Sequence, residues 1–105
     1  MNMKIIINLI ILLQLMFFSV VTADEVYTLG KEIFLNNGTC ASCHSLKDAG
    51  TNSNIGPNLN EIRPDIGRVK NAVTNGIGIM PTFSEILSEE EINAVSYYVS
   101  ESTNN

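Results

Sequence analysis

The sequence is short of positive charge. Six lysines and arginines face eleven aspartates and glutamates, for a net charge of −5. The basic residues form no cluster, and the longest run of one sign is Glu89-Glu90-Glu91. Such a chain is a poor partner for nucleic acid or for an anionic membrane surface. Sulfur and imidazole are scarce too, with two cysteines and one histidine. A closed zinc site, which usually takes four Cys and His ligands, would lack a donor. No segment alternates polar and apolar residues as a strand does, and no repeat or low-complexity tract appears.

What the chain does have is one long apolar run, at its N-terminus. Lys4 supplies a short positive start. Ile5 to Val21 is then broken only by Asn8, Gln14 and Ser19. Val21-Thr22-Ala23 offers the modest side chains that a signal peptidase reads. Residues 1–23 are therefore expected to be a secretory signal peptide cut before Asp24, leaving 24–105 as one domain. The run also approaches the ~20 residues of a spanning helix, so an uncleaved anchor is the competing reading. A lipid anchor lacks a cysteine near the cut. Export would place the domain in the periplasm, where disulfides persist, so Cys40 and Cys43 are not assumed to be free thiols. A domain this small often needs a disulfide, metal or cofactor to hold it together.

Helical periodicity dominates the remainder. Val26, Leu29, Ile33 and Phe34 predict a helix over 25–36, stopped by Asn36-Asn37-Gly38. Gly30 inside it costs about 1 kcal/mol against alanine, which points to a close helix contact there. Residues 45–58 are rich in Gly, Asn, Ser and Thr and read as a loop. A short helix is expected around Leu59–Ile62, ended by Pro64, and another over about 65–74, ended by Asn75-Gly76. Gly76 to Phe83 reads as a second irregular loop. Ser88 and Glu91 form a capping box for a last helix with Ile92, Val95, Tyr98 and Val99 on one stripe. Ser102 to Asn105 reads as a frayed polar tail. The domain is expected to be all-α, with three to five helices.

Both cysteines and the histidine fall between Cys40 and His44, in Cys-Ala-Ser-Cys-His. Cys-x-x-Cys-His is the attachment sequence for c-type haem. Residues three apart share one face of a helical turn, so both thiols can reach one porphyrin edge as thioethers. The histidine that follows is carried toward the iron as an axial ligand. A Cys40–Cys43 disulfide is chemically possible but leaves His44 unexplained. A thioredoxin-type motif wants a βαβ setting, which the chain lacks.

The sequence has four methionines, and Met80 alone lies beyond the apolar segment. It sits between Gly76, Gly78 and Pro81 in the second loop rather than on a helix stripe. A thioether opposite a histidine suits haem iron and raises its reduction potential. With both axial positions filled, electron transfer is favoured over catalysis at the iron. Gly56-Pro57-Asn58-Leu59 offers a carbonyl, that of Pro57, to hold the other nitrogen of His44. An ordinary turn is the alternative there.

Gly30-x-x-x-Phe34, Cys40 to His44, Gly56-Pro57-Asn58-Leu59, Met80-Pro81 and Tyr98 in the final helix resemble class I cytochromes c, in that family's order. The resemblance implies a small fold around one covalent haem, with the first and last domain helices crossing near Gly30, Phe34 and Tyr98. It implies Pro57 as the His44 partner and Leu59 as a haem-packing residue. Ser45 to Gly50, Gly56 to Leu59, Ala72 to Pro81 and Leu87 to Glu90 look like the cytochrome subunit of bacterial sulfite dehydrogenases. There a molybdenum subunit oxidises sulfite and passes single electrons to the haem subunit.

The expected function is thus a periplasmic monohaem electron carrier. Cys40 and Cys43 hold the haem, and His44 and Met80 ligate iron. Partners are redox proteins, with the molybdenum subunit and a terminal acceptor as candidates. Ile77, Ile79, Pro81 and Ala41 are expected near an exposed haem edge as a small docking patch. The alternatives are a haem enzyme or gas sensor with a displaceable Met80, the haem subunit of a different periplasmic dehydrogenase, or a non-haem disulfide or metal module.

Overall fold

The computed structural model describes residues 1–16 and 19–105. The first helix is α1 (Met3–Met16), whose residues through Gln14 are exposed and lie outside the core. Among the described residues, no helix is long and apolar enough to cross a membrane. Phe17 and Phe18 of the expected signal segment lie outside the described residues.

The domain starts with α2 (Ala23–Leu35). It begins two residues earlier than its apolar spacing predicts, because Thr22 is its N-cap. The Thr22 hydroxyl accepts the Glu25 N–H at 3.2 Å, and Asp24 and Glu25 sit at the positive end of the helix dipole. The helix stops at Asn36 as expected, and the Gly38 N–H then donates to Ile33 O at 2.8 Å. A cut before Asp24 would remove that cap, a loss of about 1 kcal/mol to the first turn.

A 3₁₀ turn over Cys40–Ser42 follows, then β1 (Ser45–Leu46) and β2 (Thr51–Asn52), paired antiparallel. This ladder, with Leu46 opposite Thr51, was not visible in the sequence. Two-residue strands are too short to show a period of two. Then come α3 (Leu59–Ile62) and α4 (Ile66–Asn75). Arg63 takes a left-handed conformation, φ 45°, just before Pro64, and Asp65 caps α4 by accepting the Arg68 N–H at 2.8 Å. Last is α5 (Glu89–Asn104), opened by the predicted capping box: Ser88 Oγ accepts the Glu91 N–H, and Glu91 Oε1 accepts the Ser88 N–H. The domain is all-α apart from the small ladder.

The end of α5 corrects one expectation. The polar tail is not frayed: the helix runs through Asn104, and Thr103 is buried. Thr103 Oγ1 donates back to Val99 O at 2.7 Å, Arg63 Nε donates to Thr103 O at 3.1 Å, and Asn104 Nδ2 donates to Pro64 O at 3.2 Å. A guanidinium against the last carbonyls also complements the helix dipole. Arg63→Ala should therefore lower stability by about 1–2 kcal/mol, read as a shift in the urea midpoint with unchanged m-value.

The core forms where α2 crosses α5. Ile33, Phe34, Val95 and Tyr98 are all essentially sealed from solvent, and each such side chain contributes roughly 1.5–3 kcal/mol by burial. Tyr98 stacks edge-on against Tyr27 at 4.9 Å and Phe34 at 5.9 Å. Its hydroxyl donates to Asp48 Oδ2 at 2.8 Å, and Lys31 Nζ reaches the same oxygen at 3.2 Å. Burial and the Asp48 carboxylate together hold the Tyr98 phenol well above its ordinary pKa. For Asp48, partial burial pushes the pKa up, but the bonds from Tyr98 and Lys31 outweigh it, and the net shift is down. This tie is therefore fully present above the ordinary carboxylate pKa of about 4 and is lost as pH falls through the lowered value.

Candidate functional site

The pentad occupies the turn that leaves α2. Thr39 opens it in a left-handed conformation, φ 52°, which is uncommon for a β-branched residue. The turn closes by Cys43 N–H donating to Cys40 O at 3.1 Å and His44 N–H to the same oxygen at 2.9 Å. Cys40 and Cys43 therefore lie one turn apart, both free and half-buried. Burial pushes the Cys40 thiol up to about 11. A thiol-exchange site needs the opposite shift, toward thiolate at neutral pH. Among the described residues, no three Cys, His, Asp or Glu side chains gather as a metal site would require.

His44 shows what the site can do. Its Nδ1 lies 2.8 Å from Pro57 O. A carbonyl only accepts, so Nδ1 carries a proton, and in the neutral ring Nε2 is then the nitrogen with the lone pair. The bond fixes the orientation of the ring, as the second nitrogen of a metal-binding histidine is commonly fixed. Gly56 lies flat against it. A Cβ at Gly56 would come within 2.7 Å of His44 Cε1 and 2.9 Å of Nδ1. The Gly56 N–H also donates to Cys43 O at 2.7 Å. The sequence motif around Pro57 indicated a partner for the ring, but gave no sign of how closely Gly56 approaches it. Gly56→Ala is expected to push the imidazole off Pro57 and cost about 2 kcal/mol, by urea unfolding, with loss of the His44 Nδ1 proton signal in NMR.

The remaining site residues are placed as follows. Leu59 is the first residue of α3 and is buried in the core; Pro57 is exposed. Met80 is half-buried and packs against the same core cluster as Cys40. Its backbone is fixed on both sides: Ile77 N–H donates to Met80 O at 3.1 Å, and Met80 N–H donates to Ile77 O at 3.0 Å. Gly76, at φ +75°, allows this approach, since a Cβ there would lie 2.7 Å from Met80 O. The Phe83 N–H ties the end of the loop to Val73 O at 2.9 Å. The loop that the sequence marked as irregular is therefore a closed turn. Ile77 and Ile79 project from it, 69% and 88% exposed, while Ala41 is half-buried.

Two further hydroxyls, which the sequence reading passed over, stitch the pentad down. Thr51 Oγ1 donates to His44 O at 2.9 Å, and Ser53 Oγ donates to Ser42 O at 2.9 Å. Small polar residues in a loop carry too little pattern to assign such bonds in advance.

Comparison with known proteins bears on the same residues. Residues 25–99 match the family model described as cytochrome C oxidase, cbb3-type, subunit III. The structure is similar to that of the c-type cytochrome SorU from Sinorhizobium meliloti, with a TM-score of 0.73. That pair shares 50% sequence identity, over 78% of this chain and 95% of the other. No curated protein matches the sequence. With a family model spanning 25–99 and half of the aligned residues shared with a solved c-type cytochrome, the chain belongs to the c-type cytochromes, and its small helical fold is that of class I.

Proposed function

We propose that the chain is a periplasmic monohaem electron carrier, exported by removal of residues 1–23. Membership of the c-type cytochromes implies covalent haem c, and Cys40, Cys43 and His44 fit its attachment motif. In this reading Cys40 and Cys43 form the thioethers and His44 and Met80 ligate the iron. The haem, when bound, supplies a single-electron Fe(III)/Fe(II) couple. The protein's part is to hold its ligands still, so that oxidation state changes with little movement.

The observation that carries the reading is the bond from His44 Nδ1 to Pro57 O, which in the neutral ring reserves the Nε2 lone pair for a metal. Met80 supports it, being half-buried in a turn that hydrogen bonds hold on both sides. Leu59, buried in the core, would supply an apolar contact for the porphyrin. Exposed Ile77 and Ile79 beside Met80 suit a small apolar docking patch for brief encounters. The net negative charge would steer partners rather than hold them.

The donor we favour is the molybdenum subunit of a sulfite dehydrogenase, with a respiratory protein as acceptor. Similarity of the pentad-to-Met80 segments to that cytochrome subunit supports it, and another periplasmic dehydrogenase is the runner-up. Mass spectrometry of the exported protein, followed by its ferric spectrum, tests the central reading. The expected result is a chain starting at Asp24 that carries the added mass of one haem, with a Met–iron band toward the far red. A mass without haem would overturn it. A high-spin, five-coordinate spectrum would move the chain to the gas-sensor or enzyme class. Reduction by purified sulfite dehydrogenase, and not by other dehydrogenases, tests the donor.

A further inference from the structure

The pentad is held in place mainly by the segment that follows it. The carbonyls of Ser42, Cys43 and His44 accept bonds from Ser53 Oγ, Gly56 N–H and Thr51 Oγ1, respectively. The His44 ring then donates to Pro57 O. Residues 45–57 thus form a sling around the backbone and ring of His44. The orientation of the imidazole depends on where that sling is fixed.

The sling is anchored at its tip. Gly50 N–H donates to Lys47 O at 3.0 Å and closes the turn between β1 and β2. Asp48 lies within that turn. Its Oδ2 accepts the Tyr98 hydroxyl at 2.8 Å and pairs with Lys31 Nζ at 3.2 Å. Lys31 belongs to α2, and Tyr98, at 0% exposure, belongs to α5. The tip is therefore tied to both helices of the crossing, where the most deeply buried side chains of the domain lie. Beside it, Leu46 is buried in the core and Lys47 N–H donates to Asn60 Oδ1 at 2.7 Å, which set the depth of one flank. Lys31 with Asp48 is the one ion pair among the described residues.

We propose, building on the reading of the pentad as a haem site, that Asp48 is a positioning residue for His44. Its tie to Tyr98 and Lys31 fixes the sling, and the sling fixes the imidazole on Pro57. A hydrogen bond to a charged group shifts a local opening equilibrium by about tenfold to a hundredfold. Loss of the tie should therefore loosen the sling without melting the helices. It should also weaken the Pro57 bond that makes His44 a better donor. A poorer donor stabilises the ferric state less, so the reduction potential rises.

The test uses the intact haem protein, with native-state amide exchange by NMR and a redox titration. In Asp48→Ala, exchange at Gly56 and Leu46 should quicken about tenfold or more, while Val95 and Val99 in α5 stay within twofold, and the midpoint potential should rise. Tyr98→Phe, which keeps the ring packed and the ion pair intact, should give the same pattern in smaller measure. Arg63→Ala is the control for general destabilisation and should leave the Gly56 pattern unchanged relative to α5. Uniform acceleration across Gly56 and α5, or local acceleration with an unmoved potential, would overturn the proposal. Unmodified protein lacking covalent haem would instead remove the haem reading alone, because exchange at Gly56 still reports whether Asp48 holds the sling.

Discussion

Gly30→Ala is expected to destabilise the domain by about 3 kcal/mol, although alanine is the better helix former. The two effects oppose each other. Alanine should gain about 1 kcal/mol from helix propensity in α2. A Cβ at Gly30, however, would lie 2.2 Å from Ala94 O and 2.5 Å from Tyr98 Cβ. The first of these atoms is backbone, so no rotamer change can relieve the contact. The helices must move apart, against a core already packed at crystal-like density. That movement would also stretch the contacts of Tyr98 with Tyr27 and Phe34, at 4.9 and 5.9 Å. Aromatic pairs of this kind contribute about 0.5–1.5 kcal/mol each beyond burial. Urea unfolding followed by circular dichroism reads the loss. An equal or higher midpoint for Gly30→Ala would mean that the crossing adapts more easily than its geometry implies.

Met80→Ala should have the largest effect on function while leaving the fold nearly intact. Met80 is half-buried, and its turn is closed by the backbone bonds with Ile77, which alanine retains. Removing the thioether should abolish the far-red band of the ferric protein and lower the reduction potential, since the thioether favours the ferrous state. It should also allow added imidazole or azide to bind, seen as a saturable spectral change at millimolar ligand. The unmodified protein should resist both ligands at that concentration. An unchanged spectrum in Met80→Ala would take Met80 out of its role and return the enzyme and gas-sensor readings to consideration.

Much of the site was legible because its chemistry is written locally. A haem-attachment motif has to gather its two thiols and its histidine on a single turn, and Cys40, Cys43 and His44 fit that motif whatever surrounds them. The capping box of Ser88 and Glu91 is equally local and was found as expected. Met80 became the candidate second ligand by elimination, as the one methionine beyond the apolar segment. Gly30 announced a close contact by being a poor helix residue in a helix, and the contact is with Ala94 and Tyr98. Features that misled or gave no signal depend on distant partners. The C-terminal tail looked too polar to stay helical, yet Arg63 and Pro64 arrive from far along the chain to hold it.

The sequence by itself thus determined the helical class, the haem-attachment turn and the identity of the candidate ligands, because each rests on residues a few positions apart. Only the tertiary structure decided how the imidazole is held. Gly56 against the His44 ring, Asp48 on Tyr98 and Arg63 on Thr103 join residues that are remote in sequence. Local propensity carries no information about such pairs. They form because α2 and α5 must bury their apolar faces together, and that crossing brings the loops between them to fixed positions.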